Sequence, residues 1–92
     1  MNNEFQIGQI VFSKCGRDQE KPFIVVSIEG EYVYLVDGKL RKVDKPKLKK
    51  KKHVQQTHTV IEWIKQKIIE ENRLTNSDVR KALENYLGQS SV

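Results

Sequence analysis

One cysteine, two prolines and no long apolar run leave several protein classes without support. A single cysteine, Cys15, excludes an internal disulfide and fits a reducing compartment, so the chain is expected in the cytoplasm. No stretch reaches the roughly 18 consecutive apolar residues of a membrane span, and no membrane partner is expected. The first six residues lack the basic and apolar regions of a signal peptide. His53 and His58 stand five apart and, even with Cys15, supply too few ligands at zinc spacing. No Cys/His or Ser/His arrangement is readable, the carboxylates are scattered singly, and no glycine-rich nucleotide loop occurs. The expectation is a non-enzymatic protein without a cofactor or metal. With 37% hydrophobic residues in a chain of 92, it must build one small, economical core.

What the sequence has in excess is positive charge, and it is concentrated. Residues 39–52 hold nine Lys or Arg against the single acid Asp44, a local +8. The net charge is +5, so the rest of the chain sums to −3. A dense cationic run suits a polyphosphate, because each neutralised phosphate releases a condensed counterion. Lys39, Arg41, Lys42, Lys45, Lys47, Lys49, Lys50, Lys51, Lys52 and His53 are therefore candidate nucleic-acid contacts. The run lies mid-chain, which favours a surface presented by the fold over a dangling tail. Lys49 to Lys52 are too dense for a buried strand or an undisturbed helix, and are expected to be conformationally soft.

Before the run, strand signals dominate. Residues 9–14 are apolar and β-branched, Gly16 supplies a turn, and residues 23–28 form the strongest strand, expected to be central. Glu29-Gly30-Glu31 reads as a tight hairpin into residues 32–36, where Val33 and Leu35 share one face and Tyr32, Tyr34 and Val36 the other. Asp37-Gly38 predicts a second two-residue hairpin leading into a strand over 39–43. Arg41 and Lys42 would then point to opposite faces. A last short strand is expected around Leu48 or residues 53–55. Such a series suggests a small closed or half-closed barrel of SH3-like type, since closure removes exposed edges.

These residues also carry a family resemblance. Gly8-Gln9-Ile10-Val11, then Gly16-Arg17-Asp18, then Pro22-Phe23-Ile24-Val25-Val26 resembles a KOW motif, two strands joined by a loop with glycine at the bend and basic residues beside it. With Asp37-Gly38-Lys39-Leu40-Arg41 and Lys45-Pro46-Lys47, the chain is similar to small bacterial relatives of the archaeal and eukaryotic large-subunit ribosomal protein fourteen. One departure is Gln19-Glu20, where many relatives have another glycine or a basic residue. The resemblance implies RNA contacts at the loop of Lys14, Gly16 and Arg17, and a role on ribosomal RNA or at the ribosome in translation.

After residue 57 the period becomes helical. Thr59 with Glu62 matches a capping box, and Val60, Ile61, Ile64 and Ile68 form an apolar stripe with Trp63 off its centre. Asn72-Arg73-Leu74 interrupts. Thr75 with Asp78 offers a second capping box, with Asn76 or Ser77 competing, and Val79, Ala82, Leu83, Tyr86 and Leu87 form the second stripe before Gly88, a C-terminal stop. The fold class expected is mostly β with C-terminal helices: a barrel over 5–56 including the basic segment 39–53, then a helical hairpin over 57–88. The helices either pack on the barrel or receive a protein partner. The alternative function is accordingly a protein-interaction module, recruiting a transcription or translation partner such as RNA polymerase. DNA binding is weaker, because the second helix carries only Arg80 and Lys81.

Overall fold

Apolar runs buried on both faces of a sheet build the first half. In the computed structural model, which describes residues 4–14, 16 and 19–89, the strands are β1 (Gln9–Ser13), β2 (Pro22–Glu29), β3 (Tyr32–Val36), β4 (Lys47–Lys50) and β5 (Val54–Val60). They make one antiparallel sheet in the order β4-β3-β2-β1-β5, with β2 in the middle as its apolar run requires. Pro22 opens β2, the strand position where a missing N–H is best tolerated. Glu29 pairs with Tyr32 across a two-residue turn in which Gly30 takes φ +58°.

The sheet is not closed. β4 and β5 are its two edges, and among the described residues no pairing joins them. β4 is four residues long, and the chain leaves it through a 3-10 turn (Lys51–His53) that redirects it to β1. There the Lys14 N–H donates to the His53 carbonyl at 2.9 Å. β5 then pairs with β1, and the buried Gln9 side chain donates to Gln56 Oε1 and to the Thr57 carbonyl beside a register shift.

Both faces of the sheet are used. Val11, Phe23, Val25, Val33, Leu35 and Val54 fill the inner face. On the outer face Ile10, Ile24 and Val36 meet Ile64, Val79, Ala82 and Leu83 from the helices. The helical stripes thus pack on the sheet. α1 (Glu62–Gln66) runs on as a π-helical turn (Lys67–Glu71), and Asn72 ends it in the left-handed region at φ +50°. α2 (Asn76–Gln89) follows. Its reciprocal capping box is present: the Thr75 N–H donates to Asp78 Oδ2 and the Asp78 N–H to Thr75 Oγ1, each at 3.1 Å.

Four local expectations are corrected. Thr59 caps nothing. It lies in β5, and strand-type bonding continues to Ile61, whose N–H donates to the Gly8 carbonyl, so Ile61 is the residue before α1. The β-branched residues of 54–60 and their pairing with β1 outweigh a local capping pattern. Gly88 does not stop α2, which continues to Gln89. Residues 39–43 are not a strand, and Asp37-Gly38 is not a two-residue hairpin; 37–46 is a loop. The Asp37 carboxylate accepts the N–H groups of Lys39 and Arg41, while the Asp37 and Gly38 N–H groups both reach the Arg41 carbonyl. Those bonds consume the donors and acceptors that a ladder needs. Finally, Lys49 and Lys50 take regular places in the half-exposed strand β4, and Lys51 and Lys52 belong to the 3-10 turn.

Candidate nucleic-acid interface

The basic run is divided by the fold into two groups. Lys39, Arg41, Lys42 and Lys45 occupy the 37–46 loop, where alternation along a strand no longer applies to Arg41 and Lys42. This loop is tied to the start of α2. Arg80 Nη1 donates to the Gly38 carbonyl at 2.8 Å, and the Val43 N–H donates to Asn76 Oδ1 at 2.8 Å. Gly38, at φ +78°, approaches α2 so closely that a Cβ would stand 2.7 Å from the Asn76 carbonyl oxygen. Lys39, Lys42 and Lys45 remain exposed.

Lys47, Lys49, Lys50, Lys51, Lys52 and His53 form the second group. In β4, Lys47 stands opposite Leu35 and Lys49 opposite Val33, so both rise from the inner face. Both are half-buried. Lys50 stands opposite Tyr32 on the outer face. The Lys51 ammonium sits 5.8 Å from the centre of the Phe5 ring, a cation–π distance. Lys50, Lys52 and His53 are exposed.

This second group meets the β1–β2 loop. Gly16 takes φ +82°, as its place in the turn anticipates, and the Lys49 ammonium lies 3.8 Å from where a Cβ on Gly16 would stand. With Lys14 exposed and bonded through its backbone to His53, the structure brings together Lys14, Gly16, Lys49 and His53. Arg17 and Cys15 lie outside the described residues. Glu20, in the departure from the motif noted above, adopts φ +67°, a conformation glycine takes without cost. The loop is held by the Glu20 N–H, which donates to the Ser13 carbonyl at 2.8 Å. The arrangement sets lysines from two segments beside an exposed glycine turn.

Sequence reasoning missed two features of this surface. The first is the row of outer-face side chains that β4 places beside Tyr32 and Tyr34: Leu48, half exposed, and Lys50. The wrong strand assignment for 39–43 hid them. The second is a groove of about 290 Å³ between the 37–46 loop and α2, lined by Pro22, Leu40, Leu83, Leu87, Lys39 and Glu84 among others. Its signal was Leu40, an apolar residue inside a basic run. Phe12 is half-buried beside Tyr86, with ring centres 6.4 Å apart. No helix among the described residues is long and apolar enough to cross a membrane. No protein-family model and no curated protein matches the chain.

Proposed function

We propose that the protein is a non-enzymatic RNA-binding protein of the cytoplasm, a half-closed SH3-like barrel of KOW type carrying a helical hairpin, and that it acts on ribosomal RNA or at the ribosome. The observation that carries the reading is the meeting of Lys14 and Gly16 with Lys49 and His53. Two segments that the residue pattern singled out separately become neighbours, which solvated lysines in an idle loop have no reason to do. The strand order supports the barrel, since it returns β5 to the side of β1. Positive φ at both Gly16 and Glu20 supports the KOW type, whose loop favours glycine. Affinity comes from Lys contacts to phosphate, and specificity from RNA shape or unpaired nucleotides.

The test replaces Lys49, Lys50, Lys51 and Lys52 together with Gln, which preserves most of each aliphatic stem. Binding to single-stranded RNA should weaken across sequences, because phosphate contacts carry no base information. With three of the four engaged, the slope of log affinity against log salt becomes shallower by about 2, at roughly 0.7 per phosphate. Unchanged affinity and slope in a folded variant would transfer the lead to the protein-interaction reading. That reading draws on the groove beside α2, where Leu40 is 77% exposed and Leu87 47% exposed.

A further inference from the structure

The helices cover only part of the outer sheet face. At one end Ile10, Ile24 and Val36 lie beneath α1 and α2. A register shift between Val25 and Ser27 follows on β2, and beyond it the face is open. The pairing there sets out two rows across three strands: Glu29 on β2, Tyr32 on β3 and Lys50 on β4 in one, Ser27, Tyr34 and Leu48 in the next. Directly opposed side chains stand about 5 Å apart, so each row is continuous. Tyr32 is 38% exposed and Leu48 50% exposed, with Glu29 and Lys50 exposed at either side. The Tyr34 hydroxyl donates to Glu29 Oε1 at 2.9 Å, which fixes both side chains. That bond, with the carboxylate's charge and some burial, holds the Tyr34 phenol above its ordinary pKa.

The row from acid through aromatic to base has a direction. A polyanion is repelled at the Glu29 and Glu31 side and attracted at the β4 edge, where Lys50 continues into Lys51 and Lys52. An aromatic ring between them presents a π face that any base can stack on. Glu29, with one oxygen committed to Tyr34, retains another to accept from an exocyclic amino group, as carboxylates do from cytosine N4.

We infer that this open end of the outer face is a stacking platform for an unpaired nucleotide, with Tyr32 under the base, Lys50 beside the phosphate and Glu29 toward the base edge. The inference rests on the RNA-binding reading and names its substrate class: single-stranded RNA with amino-bearing bases, not duplex.

The experiment measures binding of 12-nucleotide oligo-C, oligo-U and a mixed-sequence RNA duplex to the full chain, the Tyr32→Thr and Tyr32→Phe variants, and Glu29→Gln. Threonine suits a strand, and circular dichroism checks each fold. Oligo-C should bind more tightly than oligo-U, and Glu29→Gln should narrow the difference. Tyr32→Thr should weaken oligo-C binding by about 5- to 150-fold, the range of one base–aromatic stack, with duplex affinity and salt slope unchanged. Tyr32→Phe should retain the affinity. If folded Tyr32→Thr binds oligo-C like the parent while the Lys49–Lys52 variant loses binding, the platform is wrong and the phosphate reading stands. Equal losses for single strand and duplex also overturn the platform. Ring-proton shifts of Tyr32 on adding oligo-glutamate but not RNA would assign the face to an acidic protein segment. Failure of the parent chain to bind any of the RNAs would remove both readings.

Discussion

Residues 39–46 and 47–53 carry four and five Lys or Arg residues respectively, yet the first segment is a loop folded onto α2 while the second joins the sheet and turns into β5. Charge density does not separate them. Their anchors do. The loop half is set by Asp37, whose carboxylate takes two backbone N–H groups, and by Gly38 and Val43, which meet Asn76 and Arg80. The strand half is set by its ladder with β3 and by Lys51, whose N–H donates to the Glu31 carbonyl at 2.8 Å. Lysines at an edge strand also discourage pairing with a stray neutral strand, so their charge has a structural use besides phosphate binding. The lesson is that a basic run is as ordered as the polar and apolar residues interleaved with it.

The sharpest way to break this difference is Gly38→Ala. The added Cβ would meet the Asn76 carbonyl and sit 2.9 Å from Arg80 Cγ, at a φ of +78° that disfavours any side chain. The left-handed conformation and the overlap together should cost about 2–4 kcal/mol in chemical denaturation. The loss should show first in the loop half: the Val43 amide should lose protection from hydrogen exchange before the Lys51 amide does. Equal loss at both sites would mean that the two halves unfold as one.

A smaller change acts on a single bond. Asn76→Ala removes the acceptor of the Val43 N–H and leaves that donor without its protein partner, a loss of about 1–2 kcal/mol. Helix formation itself does not suffer, because alanine is the best helix former. Protection should fall at Val43 and remain at Lys51. Unchanged stability would show that water replaces the bond, and that Gly38 and Arg80 alone hold the loop.

Asn76 also explains which parts of the fold were legible. Strands with a continuous apolar or alternating pattern, read at 9–14, 23–28 and 32–36 and found within one residue of those bounds, were legible, and so were the faces of Val33, Leu35 and Val36. Their periodicity reflects burial within one element. The Thr75–Asp78 box was legible for the same reason: all its partners lie within four residues. The 39–43 loop was only half so: its Asp37 bonds are local, but the ties that hold it on α2, to Asn76 and Arg80, reach more than thirty residues away. Thr59 and Glu62 satisfied a capping pattern locally and lost to the pairing of β5 with β1, which no local pattern records. The candidate site divides similarly. The lysines and the glycine turn were visible as composition, whereas the approach of Lys49 to the Gly16 turn and the row Glu29–Tyr32–Lys50 required the register of β4.

The smallest effect tests the start of α2, on which the loop half rests. The Asp78 carboxylate accepts from the Lys67 ammonium at 3.1 and 3.2 Å and from the Thr75 N–H. Burial pushes its pKa up, but the bonds from the Thr75 backbone and from Lys67 outweigh that and hold it below its ordinary value. The folded carboxyl therefore titrates below the unfolded one. Its contribution is complete above the unfolded value of about 4 and disappears as pH falls through the lower folded value. Lys67 is about one-third exposed, so solvent screens the pair and the contribution is about 0.5 kcal/mol. The stability difference between the parent and Asp78→Asn should be present at neutral pH and vanish in the acid range, and high salt should reduce it. Over the same pH range, protection at Val43, normalised for intrinsic exchange, should fall more than at Lys51, because loosening the first turn of α2 releases Asn76. A difference between parent and Asp78→Asn that grows on acidification would contradict the depressed pKa. Equal sensitivity of the two amides would mean that α2 does not distinguish the two halves of the basic run.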